Sequence, residues 1–393
     1  MTTDTHLKSI RRQLIVHDSI AFLILFAATG VLFAITLFLF RSFSSHRADI
    51  AQQAGDQGRT ALSEHRPHDA ITSLRTALSY APNQRDYELL LAQALGEDGH
   101  IEEANNYFLN LRESQPGDGF INLQLARLAR QQKHRQQAVD FYRAAIFGDW
   151  KGEGDVHRRG VRLELAEYLI EQKDLPEAQS ELLIAASNAS SLPDAALDLT
   201  LGDGFLRAAD PANALKLYQK AMRDNPRDPV AYDKAGRLAY REGDYPHARD
   251  WLEHSLRESA GSTGSAAAPE GDSGTLLQNS ERLLLLSPNL ATGRNERIAR
   301  ELHNRDLAKA RLDACVKQES AAGQLPAGMQ ALVARWTASA KTTTRDALLR
   351  DSANEDELKP LIDDTETLTA KLCGNPKGDD ALLLLLAQRN NHH

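Results

Sequence analysis

Two cysteines, Cys315 and Cys373, are the residues of this sequence best suited to covalent chemistry. In an oxidising compartment they can form a disulfide, and closing the loop between them would stabilise the fold by about 4 kcal/mol. The alternative is two buried free thiols, because both residues lie on apolar faces of predicted helices. Neither cysteine has a C-x-x-C partner or a histidine at ligand spacing, so the sequence predicts no metal site here.

His65, His68 and Asp69 form the short pattern H-x-x-H-D, whose side chains can bind a metal ion. They lie in a predicted turn between two helices, where polar residues are expected in any case. The sequence also lacks the phosphate-binding, dinucleotide-binding, serine-hydrolase and zinc-protease motifs. We therefore predict no catalytic residues, no cofactor and no metal, and we predict that the protein is not an enzyme.

The composition favours helices over sheets. Charged residues make up 25% of the 393 residues and aromatic residues only 6%, and the abundant Ala, Leu, Arg, Glu and Gln are good helix formers. The net charge of −8 gives no reason to expect a nucleic-acid partner. We predict an all-α protein that does not bind nucleic acid.

Residues 19–40 form an uncharged apolar run, SIAFLILFAATGVLFAITLFLF. As a helix, this run is long enough to cross a bilayer core of about 30 Å. A signal peptide has a shorter apolar region, of about 7–15 residues, and a small-residue exit. This run instead ends at Arg41-Ser42-Phe43. We predict an uncleaved transmembrane anchor, preceded by a short tail at 1–18.

Positive charges on the two sides of the run indicate its orientation. Lys8, Arg11, Arg12 and the α-amine precede it, whereas Arg41 and Arg47 follow it. The positive-inside rule favours the side with more positive charge as the cytoplasmic one. We predict a single-pass protein of the cytoplasmic membrane, with its N-terminus in the cytoplasm and the rest of the chain on the periplasmic or other extracytoplasmic side.

One small residue recurs through the first two thirds of the chain. Six alanines lie 34, 34, 40, 36 and 34 residues apart; each is followed four residues later by a large apolar residue and preceded twelve residues earlier by Gly or Ala. The spacing predicts antiparallel helix pairs that approach closely at the small residues and stack on one another over 51–262. The alanines are Ala70, Ala104, Ala138, Ala178, Ala214 and Ala248, and the large residues are Leu74, Phe108, Tyr142, Leu182, Tyr218 and Leu252.

The repeat resembles the tetratricopeptide repeat. Proline ends the second helix in three copies, and four copies match the family's Leu-Gly pair of the first helix, although the early aromatic of the motif is present only as Tyr232. The resemblance implies a right-handed solenoid of about six helical hairpins with a concave groove that binds peptides or proteins. The matching pairs are Leu91-Ala92, Leu125-Ala126, Leu165-Ala166 and Leu201-Gly202.

Aligned on that family, six residues of the first helices are candidates for lining the groove. Arginine beside aromatic residues suits carboxylates and acidic peptides, through bidentate hydrogen bonds and stacking. The alternative is that these arginines belong to solvated helix faces and pair with nearby acids. The candidates are Phe120, Arg127 and Arg130 in the third copy and Arg237, Tyr240 and Arg241 in the sixth.

A segment rich in Gly, Ser and Ala at 260–274 predicts a flexible linker. A helical C-terminal region at 275–393 follows it. The helices predicted in that region are 276–286, 294–319, 328–339, 343–349, 355–373 and 379–388.

These features together predict a membrane-anchored scaffold or assembly factor of the cell envelope that holds partner proteins in its groove. One alternative is a structural membrane protein that associates with itself as a homo-oligomer. Another is an enzyme whose activity lies in 275–393, with the repeats recruiting its substrate.

Overall fold

The structure is a computed structural model that describes residues 3–188, 193–261, 271–291 and 293–390. Within these ranges the chain is helical and has no β-strand, only an isolated bridge between Asp118 and Asp149. The predicted all-α class is therefore confirmed. Of the predicted linker, residues 262–270 lie outside the described part of the chain. The helices before it are α1 (Thr3–Ser63), α2 (Pro67–Tyr80), α3 (Arg85–Glu97), α4 (Ile101–Ser114), α5 (Gly119–Gln131), α6 (Arg135–Ile146), α7 (Gly154–Glu171), α8 (Leu175–Ser187), α9 (Ala195–Arg207), α10 (Pro211–Asp224), α11 (Pro229–Glu242) and α12 (Tyr245–Gly261).

Six further α-helices and a 3-10 turn at Pro288–Leu290 follow the linker. The predicted C-terminal helices are all present, and their ends agree with the prediction to within three residues. The helices are α13 (Ser273–Leu286), α14 (Arg294–Ala322), α15 (Ala327–Ser339), α16 (Arg345–Arg350), α17 (Ala353–Cys373) and α18 (Asp379–Asn390).

Helix α1 joins the apolar run to the first repeat without a break. From Phe22 to Ser63 it is long and apolar enough to cross a membrane. Its large apolar side chains up to Phe43 are exposed. At Arg47, Nη2 donates a hydrogen bond to the carbonyl oxygen of Tyr80, 3.0 Å away at the end of α2. The last turns of α1 then pack against α2, so the predicted anchor and the first repeat helix are one continuous helix.

The compact unit that ends at Tyr168 contains helix pairs α1–α2, α3–α4 and α5–α6. The repeat alanines Ala70, Ala104 and Ala138 are completely buried in it. A Cβ atom placed on Gly58 would lie 2.5 Å from Cγ of Leu74. This distance is shorter than any allowed contact, so only glycine permits the close approach of the two helices there. The predicted close approach of two helices at a small residue is confirmed at this crossing.

The second compact unit begins at Leu169, and in it α9 pairs with α10 and α11 with α12. The same contact recurs here. A Cβ atom on Gly202 would lie 2.5 Å from Cε1 of Tyr218, and one on Gly236 would lie 2.7 Å from Cγ of Leu252. In these three helix pairs, the large residue four positions after the repeat alanine packs against the glycine of the preceding helix.

Each turn inside a helix pair uses the same backbone conformation. The residue five positions before every repeat alanine has a left-handed φ, between 56° and 88°. The next residue donates its N–H to a carbonyl five residues back, which is the hydrogen bond of a Schellman motif. This feature was not predicted from the sequence, because only two of the positions are glycine. The residues are His65, Gly99, Lys133, Lys173, Ala209 and Gly243.

Two apolar cores lie among the described residues of the C-terminal region. One lies among α14, α15, α16 and α17 around Trp336, whose Nε1 donates to Oγ1 of Thr365 at 2.9 Å. The other joins Tyr245 of α12 to leucines of α13 and α18. Because α13 packs on α11 and α12, the C-terminal region is attached directly to the last repeat.

Candidate functional site

Arg127, one of the predicted groove residues, forms an ion pair inside the repeats. Its Nε and Nη2 atoms donate to the two carboxylate oxygens of Glu164 on α7, at 2.9 and 2.8 Å. A planar guanidinium and a carboxylate fit this two-bond arrangement well. The Arg127 side chain nevertheless remains 45% exposed.

The hydroxyl of Tyr142 also donates a hydrogen bond to Glu164, with an oxygen–oxygen distance of 2.8 Å. Burial opposes ionisation of Glu164, but the hydrogen bonds from Arg127 and Tyr142 outweigh it and hold the pKa of this carboxyl below its ordinary value. Burial and the nearby Glu164 charge raise the pKa of Tyr142. We call Arg127, Tyr142 and Glu164 the first cluster.

The other two candidates in the third copy lie on the same helix as Arg127. The guanidinium of Arg130 stacks over the ring of Tyr168, 5.4 Å from its centroid, and its charge also helps to lower the pKa of Glu164. Phe120 is half-buried near the start of α5, and its Cα is roughly 10 Å along the helix from that of Arg127. The structure therefore brings the two arginines together around one carboxylate, with the phenylalanine two turns away.

A second cluster has the same positions with the charges exchanged. Asp203 lies eleven residues before Ala214, as Arg127 lies eleven before Ala138, and Lys234 lies fourteen before Ala248, as Glu164 lies fourteen before Ala178. The Asp203 carboxylate accepts from Nζ of Lys234 at 2.9 and 3.0 Å and from the Tyr218 hydroxyl at 2.8 Å. We call Asp203, Tyr218 and Lys234 the second cluster.

Glu164, Asp203 and Lys234 were not predicted from the sequence. The signal that would have found them is a pair of opposite charges at offsets −11 and −14 in consecutive copies. This signal is visible only when the copies are aligned and the two offsets are known to meet in space.

Arg237, at the same repeat position as Arg127, contacts the C-terminal region. Its Nε donates to Asp233 at 2.7 Å, and its Nη2 lies 2.6 Å from both Oγ of Ser273 and Oδ1 of Asp272. The hydrogen bond from Arg237 lowers the pKa of Asp272. The side chain is only 19% exposed, so it fastens the start of α13 to α11.

Tyr240 and Arg241 also adjoin the C-terminal region. The Tyr240 ring meets Tyr245 edge-on, with centroids 5.8 Å apart. Nη2 of Arg389 on α18 donates to the carbonyl oxygens of Tyr240 and Arg241 at 2.9 and 2.8 Å. The Arg241 side chain itself stays exposed beside Glu242. Of the three candidates on α11, Arg237 and Tyr240 therefore pack against other side chains of the protein, whereas the Arg241 side chain faces solvent.

Cys315 on α14 and Cys373 on α17 are joined in the structure by a disulfide. Their Cα atoms are 5.7 Å apart, in the usual range for such a bond. His65 and His68 of the H-x-x-H-D pattern lie in the first compact unit. His65 occupies a left-handed turn, and Nδ1 of His68 lies 3.7 Å from a carboxylate oxygen of Asp98. Among the residues that the structure describes, no group of three His, Cys, Asp or Glu side chains is placed to hold a metal ion.

A family model described as "Tetratricopeptide repeat" matches residues 89–153 and 199–263. No curated protein matches the chain significantly. Among solved structures, the chain is similar to the C-terminal part of a TPR repeat-containing protein from Cytophaga hutchinsonii, with 12% identity over 62% of this chain and 91% of that one and a TM-score of 0.44. It is also similar to pilF from Pseudomonas aeruginosa, with 22% identity over 57% and 91% and a TM-score of 0.33.

A third similar structure is YrrB, described as a TPR protein with an unusual peptide-binding site, with 13% identity over 53% of this chain and 97% of that one and a TM-score of 0.37. Structural similarities of this size add nothing to the family match. The match itself covers α3–α6 and α9–α12 almost completely, where the buried alanines and the glycine contacts recur. On this evidence the chain contains tetratricopeptide repeats.

Proposed function

We propose that this protein is a membrane-anchored scaffold that binds other proteins through its tetratricopeptide repeats, outside the cytoplasmic membrane. Repeats of this kind serve protein–protein interaction. The observation that carries the membrane part of the proposal is the continuity of α1, from the apolar run into the first repeat.

The apolar run of α1 supports an anchor because its side chains have no partner in the described chain. Phe22 is 74% exposed, Phe26 75% and Phe38 72%, and their neighbours are similar. An apolar surface of this length in water would cause aggregation. In a bilayer the same surface contacts lipid, while the helix satisfies its own backbone hydrogen bonds.

The anchor is stiff, and this restricts where a partner can be. Between Gly30 and Gly55 the helix contains no glycine or proline, and its first contact with α2, at Arg47, comes seven residues after Phe40. Seven helical residues span about 10 Å. The repeats would therefore begin next to the lipid headgroups, and we infer that their partner is a membrane protein or a protein held at the membrane surface.

We propose that the α5 face, with Phe120, Arg127 and Arg130, contacts the partner. Arg127 uses Nε and Nη2 for Glu164, and its side chain remains half exposed, so Nη1 can donate to a carboxylate of the partner. Phe120 offers an apolar contact on the same helix. An acidic segment with an apolar residue matches this combination.

Positive charge before the apolar run supports the orientation proposed for the anchor. With the N-terminus in the cytoplasm, the repeats and the C-terminal region lie on the extracytoplasmic side. Protease added to spheroplasts would then digest the repeats. Protection of the repeats in intact spheroplasts would refute this orientation.

The partner-binding proposal is tested by cross-linking in cells followed by affinity purification. The informative variant is the exchange Arg127→Glu with Glu164→Arg, because the second cluster shows that this position accepts the reversed pair. The exchange keeps the internal ion pair but reverses the charge on α5. The matched control is Arg75→Glu with Glu103→Arg, which reverses an exposed ion pair of 2.8 Å between the second helices α2 and α4.

We expect a stoichiometric partner that is recovered with the wild type and the control but lost with the α5 exchange. Loss with both exchanges would indicate a general charge effect, and retention with both would exclude α5 as the contact face. If only copies of the chain itself are recovered, the protein is a self-associating structural protein. Circular dichroism melting of each variant shows whether the repeats remain folded.

A further inference from the structure

We propose that a cavity in the C-terminal region binds a primary alkylammonium group. The cavity lies among α13, α14, α17, α18 and the turn at Pro288–Leu290, and its volume is about 90 Å³. A single water needs roughly 10–15 Å³ of such space. The cavity therefore has room for a ligand of about five non-hydrogen atoms.

Two hydrogen-bond acceptors on the cavity wall lack donors. Oε2 of Glu301 and Oδ1 of Asn304 are buried and have no hydrogen-bond partner in the described part of the chain. Asn304 is 5% exposed, and its amide nitrogen donates to the carbonyl oxygen of Leu286 at 2.7 Å, which sets the orientation of the amide. A buried acceptor without a donor is unfavourable. A ligand that brings N–H donors would satisfy both oxygens.

The charges around the cavity favour a cation. Asp363 lies on the wall with Glu301, and burial raises the pKa of both carboxyls, that of Glu301 to about 7. Of the nearby cations, Arg297 forms an ion pair with Glu355 at 2.9 Å. Lys359 also lines the cavity, at an exposed position of α17, and its charge only partly offsets the effect of burial on the pKa of Glu301 and Asp363. An ammonium group next to Glu301 would supply the positive charge that its carboxylate lacks.

Part of the wall is apolar. Leu358, Ile362 and Leu383 line it, and all three are buried. A short methylene chain would pack against them while its ammonium group met Glu301 and Asn304. The group can belong to a free amine or to a lysine side chain of a bound protein, since both carry the same chemistry.

The test is isothermal titration calorimetry of the full chain in detergent at pH 7.5. The ligands are n-butylamine, n-butanol and a capped lysine peptide. We expect saturable binding of butylamine, and at least about tenfold weaker binding of butanol, because a hydrogen bond to a charged group is the stronger one. Binding of the free amine alone would identify a small-molecule site, and binding of the peptide would identify a lysine side chain as a possible ligand.

Three variants test whether the heat of binding comes from the cavity. Glu301→Gln removes the charge and should weaken butylamine binding about tenfold or more. Leu386→Phe fills the cavity and should abolish binding even if the first variant folds poorly. Glu366→Gln changes a buried carboxyl of the same region outside this cavity and should leave binding unchanged. Absence of saturable binding by either amine, or equal binding by wild type, Glu301→Gln and Leu386→Phe, would overturn the proposal.

Discussion

The repeats and the C-terminal region surround a carboxylate with different partners; the one in the repeats is half-buried and the one in the C-terminal region is fully buried. In the first cluster, Glu164 accepts hydrogen bonds from Arg127 and Tyr142, and its pKa is lowered. In the C-terminal region, Glu366 is completely buried, and neither oxygen has a hydrogen-bond donor within the described residues. Its nearest cation, Arg311, has Nε 3.6 Å away and donates that N–H to Thr369 instead. Burial and the charge of Asp380 raise the pKa of Glu366 to about 7.

The difference shows that burial alone does not determine what a carboxylate does to stability. A carboxylate with matched donors holds neighbouring helices together, and the same geometry is found twice in the repeats with the charges exchanged. A carboxylate without donors destabilises the folded state once it ionises. We therefore expect the repeats to keep their stability across neutral pH and the C-terminal region to lose some of it.

The largest expected effect is that of breaking the disulfide between Cys315 and Cys373, which are both in the C-terminal region. Reduction, or Cys315→Ser with Cys373→Ser, should lower the free energy of unfolding of that region by about 4 kcal/mol, because the unfolded chain regains the freedom of the loop. Hydrogen exchange of helices α2 to α6, which belong to the other compact unit, should not change. Two thiols labelled in the denatured, unreduced protein would show that the bond does not form in the cell.

Glu366→Gln should stabilise the C-terminal region at pH 8 by roughly 3 kcal/mol. The folded state holds a proton on Glu366 up to about pH 7, whereas the unfolded state loses it near pH 4.3, so the free energy of unfolding falls as pH rises between these values. Denaturant unfolding of wild type and variant at pH 4, 6 and 8 measures this. A stability difference that does not grow with pH would contradict it.

The same substitution in the repeats should have the opposite sign. Glu164→Gln should destabilise the repeats by about 2 kcal/mol at pH 7, because two charge-assisted hydrogen bonds from Arg127 are weakened. The pKa of Glu164 is lowered, so this contribution is present above the ordinary carboxyl pKa and disappears as the pH falls through the lowered one. Thermal melting of the wild type and of Glu164→Gln at pH 7 and pH 3 measures this change in stability. A stabilising effect at pH 7 would remove the contrast between the regions.

The smallest expected effects are those of removing the tyrosine hydroxyls from the two clusters. Tyr142→Phe and Tyr218→Phe each remove one hydrogen bond to a carboxylate, at 2.8 Å in both cases. Each should cost about 1.5 kcal/mol, and the two costs should be similar despite the exchanged charges. Double-mutant cycles with Glu164→Gln and Asp203→Asn measure the couplings. A coupling in only one cluster would show that the sign of the charges matters as well as the geometry.

Much of the fold follows from residue spacing. The repeat alanines are buried, the glycines Gly58, Gly202 and Gly236 meet the large residue of the next helix, and the C-terminal helices begin and end near their predicted residues. These features were predictable because helical periodicity and small-residue contacts are local or repeat at fixed intervals. The left-handed turn residues were not predictable from type, since Lys133, Lys173 and Ala209 have no intrinsic preference for that conformation. The Schellman hydrogen bond imposes it there.

The sequence by itself determined that this chain has an apolar run followed by helical repeats, because a 3.6-residue period and a 34-residue period are both visible in the order of the residues. Only the tertiary structure decided what the charged residues do. Arg127 and Arg237 share a repeat position, yet one pairs with Glu164 and the other with Asp233, Asp272 and Ser273. The physical reason is that an ion pair depends on which helix packs alongside, and for Arg237 that helix, α13, lies beyond the last repeat.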